Sequence, residues 1–298
     1  MIIENFESFV GVHCETTATG SLLKHKGVEI SEAMMFGLGE ALSFLLFPIK
    51  GLNLPFIGGR IKQFHLNLYM CANLGLELTT KETTSKKKAW DNVRSVLDRG
   101  EPVGLQLDSY HLEYFSNKVH FAGHTVAMYG YDDTFAYLVD TAQQGGRTKT
   151  TLESLAMARS EKGPMSARNR SYSVGQNQSR IDLKEAIKNA IRHNAQQYLN
   201  PPIKNFAYKG IQKCTDQVTG WYDRCEDPKT ELVQVSTFME RAGTGGSIFR
   251  NLYRDFLRES LALVKSDSIE EALGIFNEVT DEWKQCAVLF EQTGSQAT

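Results

Sequence analysis

The stretch from residue 124 to residue 140 restricts the fold most. His124-Thr-Val-Ala-Met-Tyr-Gly-Tyr131 is rich in β-branched and aromatic residues, Asp132-Asp133 supplies a turn, and Phe135-Ala-Tyr-Leu-Val139 returns. Two such runs around a short polar turn predict an antiparallel hairpin. The return strand then brings Asp140 back beside the start of the first strand, next to His124. The run Gly100-Glu-Pro-Val-Gly-Leu-Gln-Leu107 adds a third strand ahead of them.

Helical patterns flank these strands. One starts at Cys14 and ends near Lys26-Gly27, with Gly27 as its stop. Ser31 can cap the next, and Lys62 to Leu74 is read as helical. Thr84 or Ser85 precedes an amphipathic helix through Trp90, Val93, Val96 and Leu97 that Gly100 terminates. After a Gly145-Gly146 turn, Thr151 to Arg159 forms a short helix. Gly51 to Arg60, rich in glycine and proline, reads as loop.

Beyond the polar stretch Ser160 to Asn177 the pattern changes to helical periodicity alone. The helices are expected over Leu183 to Leu199, Phe206 to Trp221, Lys229 to Arg241, Phe249 to Val264 and Ser268 to Phe290. Strands with helices followed by helices only indicate an α+β domain and then an all-α domain. The expected boundary divides residues 1–177 from residues 178–298.

Composition sets further limits. A chain of 298 residues with 41% hydrophobic and 23% charged residues is ordinary globular usage, long enough for one large or two ordinary domains, each with a real core. The formal net charge of −2 and dispersed Lys and Arg leave no basic footprint for nucleic acid or an anionic membrane. Lys86-Lys87-Lys88 is the one basic run. It reads as the solvated face of a helix start, and it also suits an acidic partner such as a carrier protein. The apolar stretch from Ala41 to Ile49 is too short to span a bilayer and contains Pro48. The N-terminus lacks a basic region and an apolar core, so no secretory signal is expected. Five cysteines at unpatterned spacings argue against a disulfide framework and a zinc site, and a reducing cytoplasm suits them. No cofactor or metal is called for.

Cys14, His124 and Asp140 together hold the parts of a nucleophile site. Amide N–H groups at a helix start and a nearby imidazolium favour a thiolate. His124 would exchange a proton with that thiol, and a carboxylate on its other ring nitrogen would fix the tautomer; Asp140 is the candidate. A single cysteine is more often a small buried hydrophobe, and a single histidine a structural one. On pattern alone the two readings stand level.

The text Gly123-His124 to Asp140 resembles papain-like cysteine peptidases, in particular the bacteriocin-processing peptidases of ABC transporters. A longer resemblance, through Val12-His13-Cys14, Met35 to Leu42, the hairpin, Gly243 to Arg250 and Tyr253 to Leu257, is to the butirosin biosynthesis protein H family. It implies a papain-like cysteine peptidase fold in the N-terminal domain and a helical C-terminal domain of unknown function. It also implies acyl transfer from a carrier-protein thioester to a small-molecule amine. One departure stands out: no Gln precedes Cys14, where papain-like enzymes place an oxyanion donor. Ser8, Asn5 and the backbone N–H groups at the Cys14 helix start are the alternatives.

Other residues are weaker candidates. His13 adjoins the nucleophile and Asp108 ends a strand, so both are candidate substrate contacts, although a turn cap is equally open to Asp108. His120 rivals His124 as base, yet lies in loop-like text. Gly243-Thr-Gly-Gly246 with Arg250 reads either as an anion or substrate site or as a tight helix junction. With no Lys-Ser/Thr continuation and no preceding strand a nucleotide P-loop is not expected, and because Gly-rich turns before helices are common the junction is favoured. Three functions remain: a cysteine acyltransferase, an amidase or peptidase acting on a peptide-like substrate with water as acceptor, and a non-catalytic binding module.

Overall fold

A computed structural model describes residues 1–49, 51–176, 181–242 and 244–297. In chain order the elements are α1 (Cys14–His25), α2 (Glu32–Leu38), β1 (Leu42–Phe47), β2 (Phe56–Arg60), α3 (His65–Asn73), β3 (Leu76–Lys81), α4 (Lys86–Leu97) and β4 (Val103–Leu107). They continue with β5 (His124–Tyr131), β6 (Phe135–Val139), β7 (Arg147–Thr151), α5 (Leu152–Ser160), β8 (Ser171–Gln176), α6 (Leu183–Leu199), α7 (Ala207–Val218), α8 (Pro228–Thr237), α9 (Ser247–Leu263) and α10 (Asp267–Ser295). The chain divides into two compact units, Met1–Met35 with Leu66–Ile181, and Phe36–His65 with Asp182–Thr298. A boundary between 177 and 178 lies outside the described residues. The second unit also takes in the β1–β2 hairpin, so it is not helical throughout.

The first unit is an antiparallel sheet of order β3-β8-β4-β5-β6-β7 with α1 laid against β4 and β5. Every residue of α1 from Cys14 to Leu23 is buried, so this stretch has no solvent-facing side. Its small side chains permit that. A Cβ on Gly20 would fall 2.7 Å from the Phe9 ring. The expected stops hold: Gly27 and Gly100 take positive φ, and Ser85 caps α4 by accepting from the Lys88 amide. The strands β3 and β8 fall in stretches that carry no strand expectation. Their register runs from Leu76 opposite Gln176 to Lys81 opposite Ser171.

One irregularity in β5–β6 decides where the catalytic candidates point. Near the turn Tyr131 faces Ala136 and Gly130 faces Tyr137, but beyond a bulge Met128 faces Leu138 and Ala127 faces Val139. Carrying this register one step further sets Asp140 opposite Val126, on the same face as His124. Without the bulge the register would set it opposite Ala127, on the other face, because a one-residue slip reverses every side chain.

In the second unit, β1 and β2 pair antiparallel, with Leu46 opposite Ile57. Phe44, Leu46, Leu54 and Ile57 join Trp221, Leu232, Met239 and Ala287 in one core. The continuous apolar run of β1 fits a strand covered on both sides. The region read as loop at 51–60 thus holds β2, whose glycines admit close backbone approach: a Cβ on Gly59 would lie 2.5 Å from the Thr244 carbonyl oxygen. Asp227 caps α8 through the Thr230 amide, with Pro228 at its first turn. The stretch Phe238–Ala242 widens into a π-helical turn. Glu240 from that turn accepts from the Ser247 amide and hydroxyl, both at 2.7 Å, and so closes the start of α9.

The close pairing of β4 and β8 gives a stability test. A Cβ on Gly104 would sit 2.1 Å from Cζ of the buried Tyr172, whose hydroxyl is held 2.8 Å from Thr19 Oγ1. Gly104→Ala should therefore lower stability by about 1–3 kcal/mol in denaturant unfolding. An unchanged midpoint would show that the ring is free to move.

Candidate active site

Cys14 opens α1, and the loop ahead of it is held by side chains from elsewhere. The Glu32 carboxylate accepts from the Val12 amide at 3.0 Å and the His13 amide at 2.9 Å, and lies 2.7 Å from Thr16 Oγ1. Gly11 makes room for it, since a Cβ there would fall 2.5 Å from that carboxyl group. The Gly11 amide donates to Thr17 Oγ1 at 3.1 Å, and the Gly11 carbonyl accepts from the Ala142 amide at 2.9 Å. This last bond ties the approach to Cys14 to the segment just after Asp140. Glu32 was missed in the sequence because its partners are backbone groups about twenty residues away.

His124 and Asp140 meet as expected. His124 Nε2 donates to Asp140 Oδ2 at 2.7 Å, and both residues are buried. The same carboxylate accepts from the Tyr114 hydroxyl at 2.8 Å and the Thr141 amide at 2.7 Å. Cys14 lies close enough to the imidazole to favour its charged form, and with Nε2 held by Asp140 it is Nδ1 that is left for the thiol. Phe115 meets the ring edge-on at 5.2 Å and Phe121 lies at 6.5 Å, giving it an apolar wall.

Burial opposes a charged imidazolium here. The Asp140 charge and hydrogen bond outweigh it, with Cys14 adding to them, and His124 is raised from 6.5 to about 10. Burial pushes the Tyr114 phenol well above its usual value, and the Asp140 charge and hydrogen bond push it further, so it stays a donor. The other four cysteines are poor nucleophiles by the same physics. Burial pushes Cys71 up to about 12 and Cys214 up to about 11, and it also raises Cys225 and the surface Cys286.

The remaining candidates fall elsewhere. His13 is buried at the N-cap of α1, where its side chain makes no capping bond. Asp108, for which a substrate contact and a turn cap are equally open from the sequence, caps a turn. Its Oδ1 accepts from the Tyr110 and Phe121 amides at 2.9 and 3.1 Å, and Oδ2 lies 3.2 Å from His120 Nδ1. Donors of its own loop occupy both oxygens. His120 is exposed and paired with Asp108, so it is not placed as the base. Ser8 Oγ accepts from Arg147 Nε at 3.4 Å. Arg250, a weaker candidate for substrate whose junction reading is favoured, is buried in its own unit. It donates from one nitrogen to the Gly245 and Gly246 carbonyls at 2.6 and 2.7 Å, and its guanidinium covers the Trp283 ring at 3.9 Å. It closes its own loop, as the junction reading requires; Gly243 lies outside the described residues.

Residues 13–141 match the family model "Butirosin biosynthesis protein H, N-terminal", and residues 153–298 match "Domain of unknown function (DUF4872)". The chain thus joins a region similar to the N-terminal part of butirosin biosynthesis protein H to a C-terminal domain of unknown function. No curated protein matches it. Among solved structures, the peptidase domain of Streptococcus ComA, a bi-functional ABC transporter involved in quorum sensing, is 13% identical with a TM-score of 0.37, over 57% of this chain and 98% of that one. A C39-like peptidase from Bacillus anthracis is 14% identical with a TM-score of 0.41, over 60% of this chain and 98% of that one. No helix among the described residues is long and apolar enough to cross a membrane.

Two outcomes are expected. Because His124 is raised, its charge favours the folded state fully below pH 6.5, and that contribution is lost as pH rises through about 10. Asp140→Asn removes the outweighing charge and should slow Cys14 alkylation at and below neutral pH, moving the rate–pH profile upward in pH. An unmoved profile would exclude Asp140 as the cause. Separately, mass spectrometry after brief iodoacetamide treatment should find Cys14 modified ahead of the other four thiols. Equal labelling of Cys286, the exposed one, would contradict the site.

Proposed function

We propose that this enzyme transfers an acyl group from a thioester donor to an amine through a thioester on Cys14. The carrying observation is the placement of His124 between the Asp140 carboxylate and the Cys14 thiol, with α1 starting at the sulfur. The Cys14 thiolate attacks the donor carbonyl, the bond to the donor sulfur breaks, and His124 gives its Nδ1 proton to the departing thiolate. The acceptor amine then attacks the acyl carbon and gives up a proton to His124. Cys14 leaves as thiolate, and an amide has formed.

The oxyanion needs a donor fixed in advance. The Val12 and His13 amides are held by Glu32, whereas the first amides of a helix have no acceptor within it. The Cys14 amide is the donor that suits the role. The Phe115 and Phe121 wall favours an organic acceptor over bulk water at the acyl-enzyme. The family description names a biosynthesis protein, which supports a biosynthetic role; the donor we propose for it is a carrier-protein thioester and the acceptor a small-molecule amine.

Hydrolysis shares the acyl-enzyme and differs only in the acceptor, so partitioning is the test. A simple acyl thioester should add its acyl mass to Cys14 in the intact protein, and Cys14→Ala should add none. Asp140→Ala should slow acylation by about 10²–10⁴-fold. Loss of the acyl group should accelerate with added amines and yield amide. A rate indifferent to every amine, with free acid as sole product, would establish the hydrolase instead.

A further inference from the structure

The loop between β4 and β5 carries a second group of chemically active side chains that the proposed acyl transfer does not use. His111 Nε2 lies 2.7 Å from Glu161 Oε2, and ligand atoms of His111, His120 and Glu161 all lie within 4.8 Å of one another. His120 Nδ1 lies 3.2 Å from Asp108 Oδ2, so Nε2 is the nitrogen that remains to take a ligand. Asp108 is itself buried and fixed by two backbone amides. Tyr110 stacks on the His120 ring at 4.0 Å between centroids and 12° between planes, restricting its rotation.

We propose that His111, His120 and Glu161 bind a divalent transition-metal ion of the zinc class, with Asp108 orienting His120 from behind. Two imidazoles and one carboxylate suit zinc, cobalt or nickel better than magnesium or calcium, and three ligands leave a position for water. A carboxylate on the far nitrogen of a ligating histidine is the usual way such a ring is held and its tautomer chosen. Ligand atoms about 2.0–2.1 Å from a tetrahedral ion stand roughly 3.3 Å apart. The group is therefore wider than a loaded site, and His120, with 58% of its side chain exposed, and Glu161, with 30%, have room to close on the ion. On binding, the proton shared by His111 Nε2 and Glu161 passes to solvent.

The position gives the ion a consequence. Glu161 caps the end of α5, while His111 and His120 lie on the loop that also carries Tyr114 onto Asp140 and Phe115 and Phe121 onto His124. An ion held by all three ligands would clamp that loop to α5 and so brace one wall of the Cys14 site.

Zinc titration of the full chain, stripped with chelator and with its thiols alkylated, tests the site by competition with a chromophoric chelator. One equivalent of zinc should bind. His120→Ala and Glu161→Gln, both at the surface, should each weaken that affinity by at least about tenfold while the circular dichroism stays that of the parent. Hydrogen exchange of residues 109–123 should slow on adding zinc to the parent and not to either variant. No zinc uptake, or equal affinity in His120→Ala, would overturn the proposal. So would uptake that disappears only when the thiols are blocked.

Discussion

The buried hydrogen bond between His124 Nε2 and Asp140 Oδ2 fixes which nitrogen of the imidazole is left to meet Cys14, and the surrounding structure serves to hold that bond in place. A buried carboxylate without donors would take up a proton and lose its effect on the ring. Asp140 instead has three donors, from His124, Tyr114 and the Thr141 amide. Each comes from a different piece of chain: the first residue of β5, the β4–β5 loop and the turn after β6. Shifting any of these disturbs the same carboxylate. The bulge in β5 belongs to this set, because it places Asp140 on the face that His124 occupies.

The sulfur is positioned by a second set of bonds that sequence proximity does not suggest. Glu32 gathers the Val12 and His13 amides, and Ala142 holds the Gly11 carbonyl. The approach to the nucleophile is thereby bonded both to α2 and to the chain two residues beyond Asp140. Glycine at position 11 is required because the Glu32 carboxyl fills the space a side chain would take. A chain of hydrogen bonds thus runs from the approach to α1 to the Asp140 turn and on to His124, the ring beside the thiol.

Much of this could be read from residue order, and the failures have physical causes. The hairpin at 124–140 and the helices at Cys14, Lys86 and Leu183 follow local rules of alternation, capping and periodicity, which hold whatever the chain meets later. β8 does not follow them: it sits between β3 and β4, and its pairing partners are about seventy to one hundred residues away in the sequence. β1 was hidden for another reason, since a strand buried on both faces has no alternation to show. β2 was hidden by Gly58 and Gly59, which read as loop but admit a neighbouring backbone. Asp108 and Arg250 stayed open between substrate contact and local capping because charge at an element boundary is ambiguous. Only their burial, and the loop amides and carbonyls around them, assigns them to capping.

The central claim is that Asp140 keeps the buried His124 charged beside Cys14. Nitrogen-15 NMR of histidine-labelled protein reads this directly, because the two ring nitrogens report separately on their protons. At neutral pH the His124 resonance should show both nitrogens protonated, with a strongly deshielded Nε2 proton in the bond to Asp140, and this should persist well above pH 6.5. A His124 ring carrying one proton at neutral pH and titrating in the ordinary histidine range would contradict it.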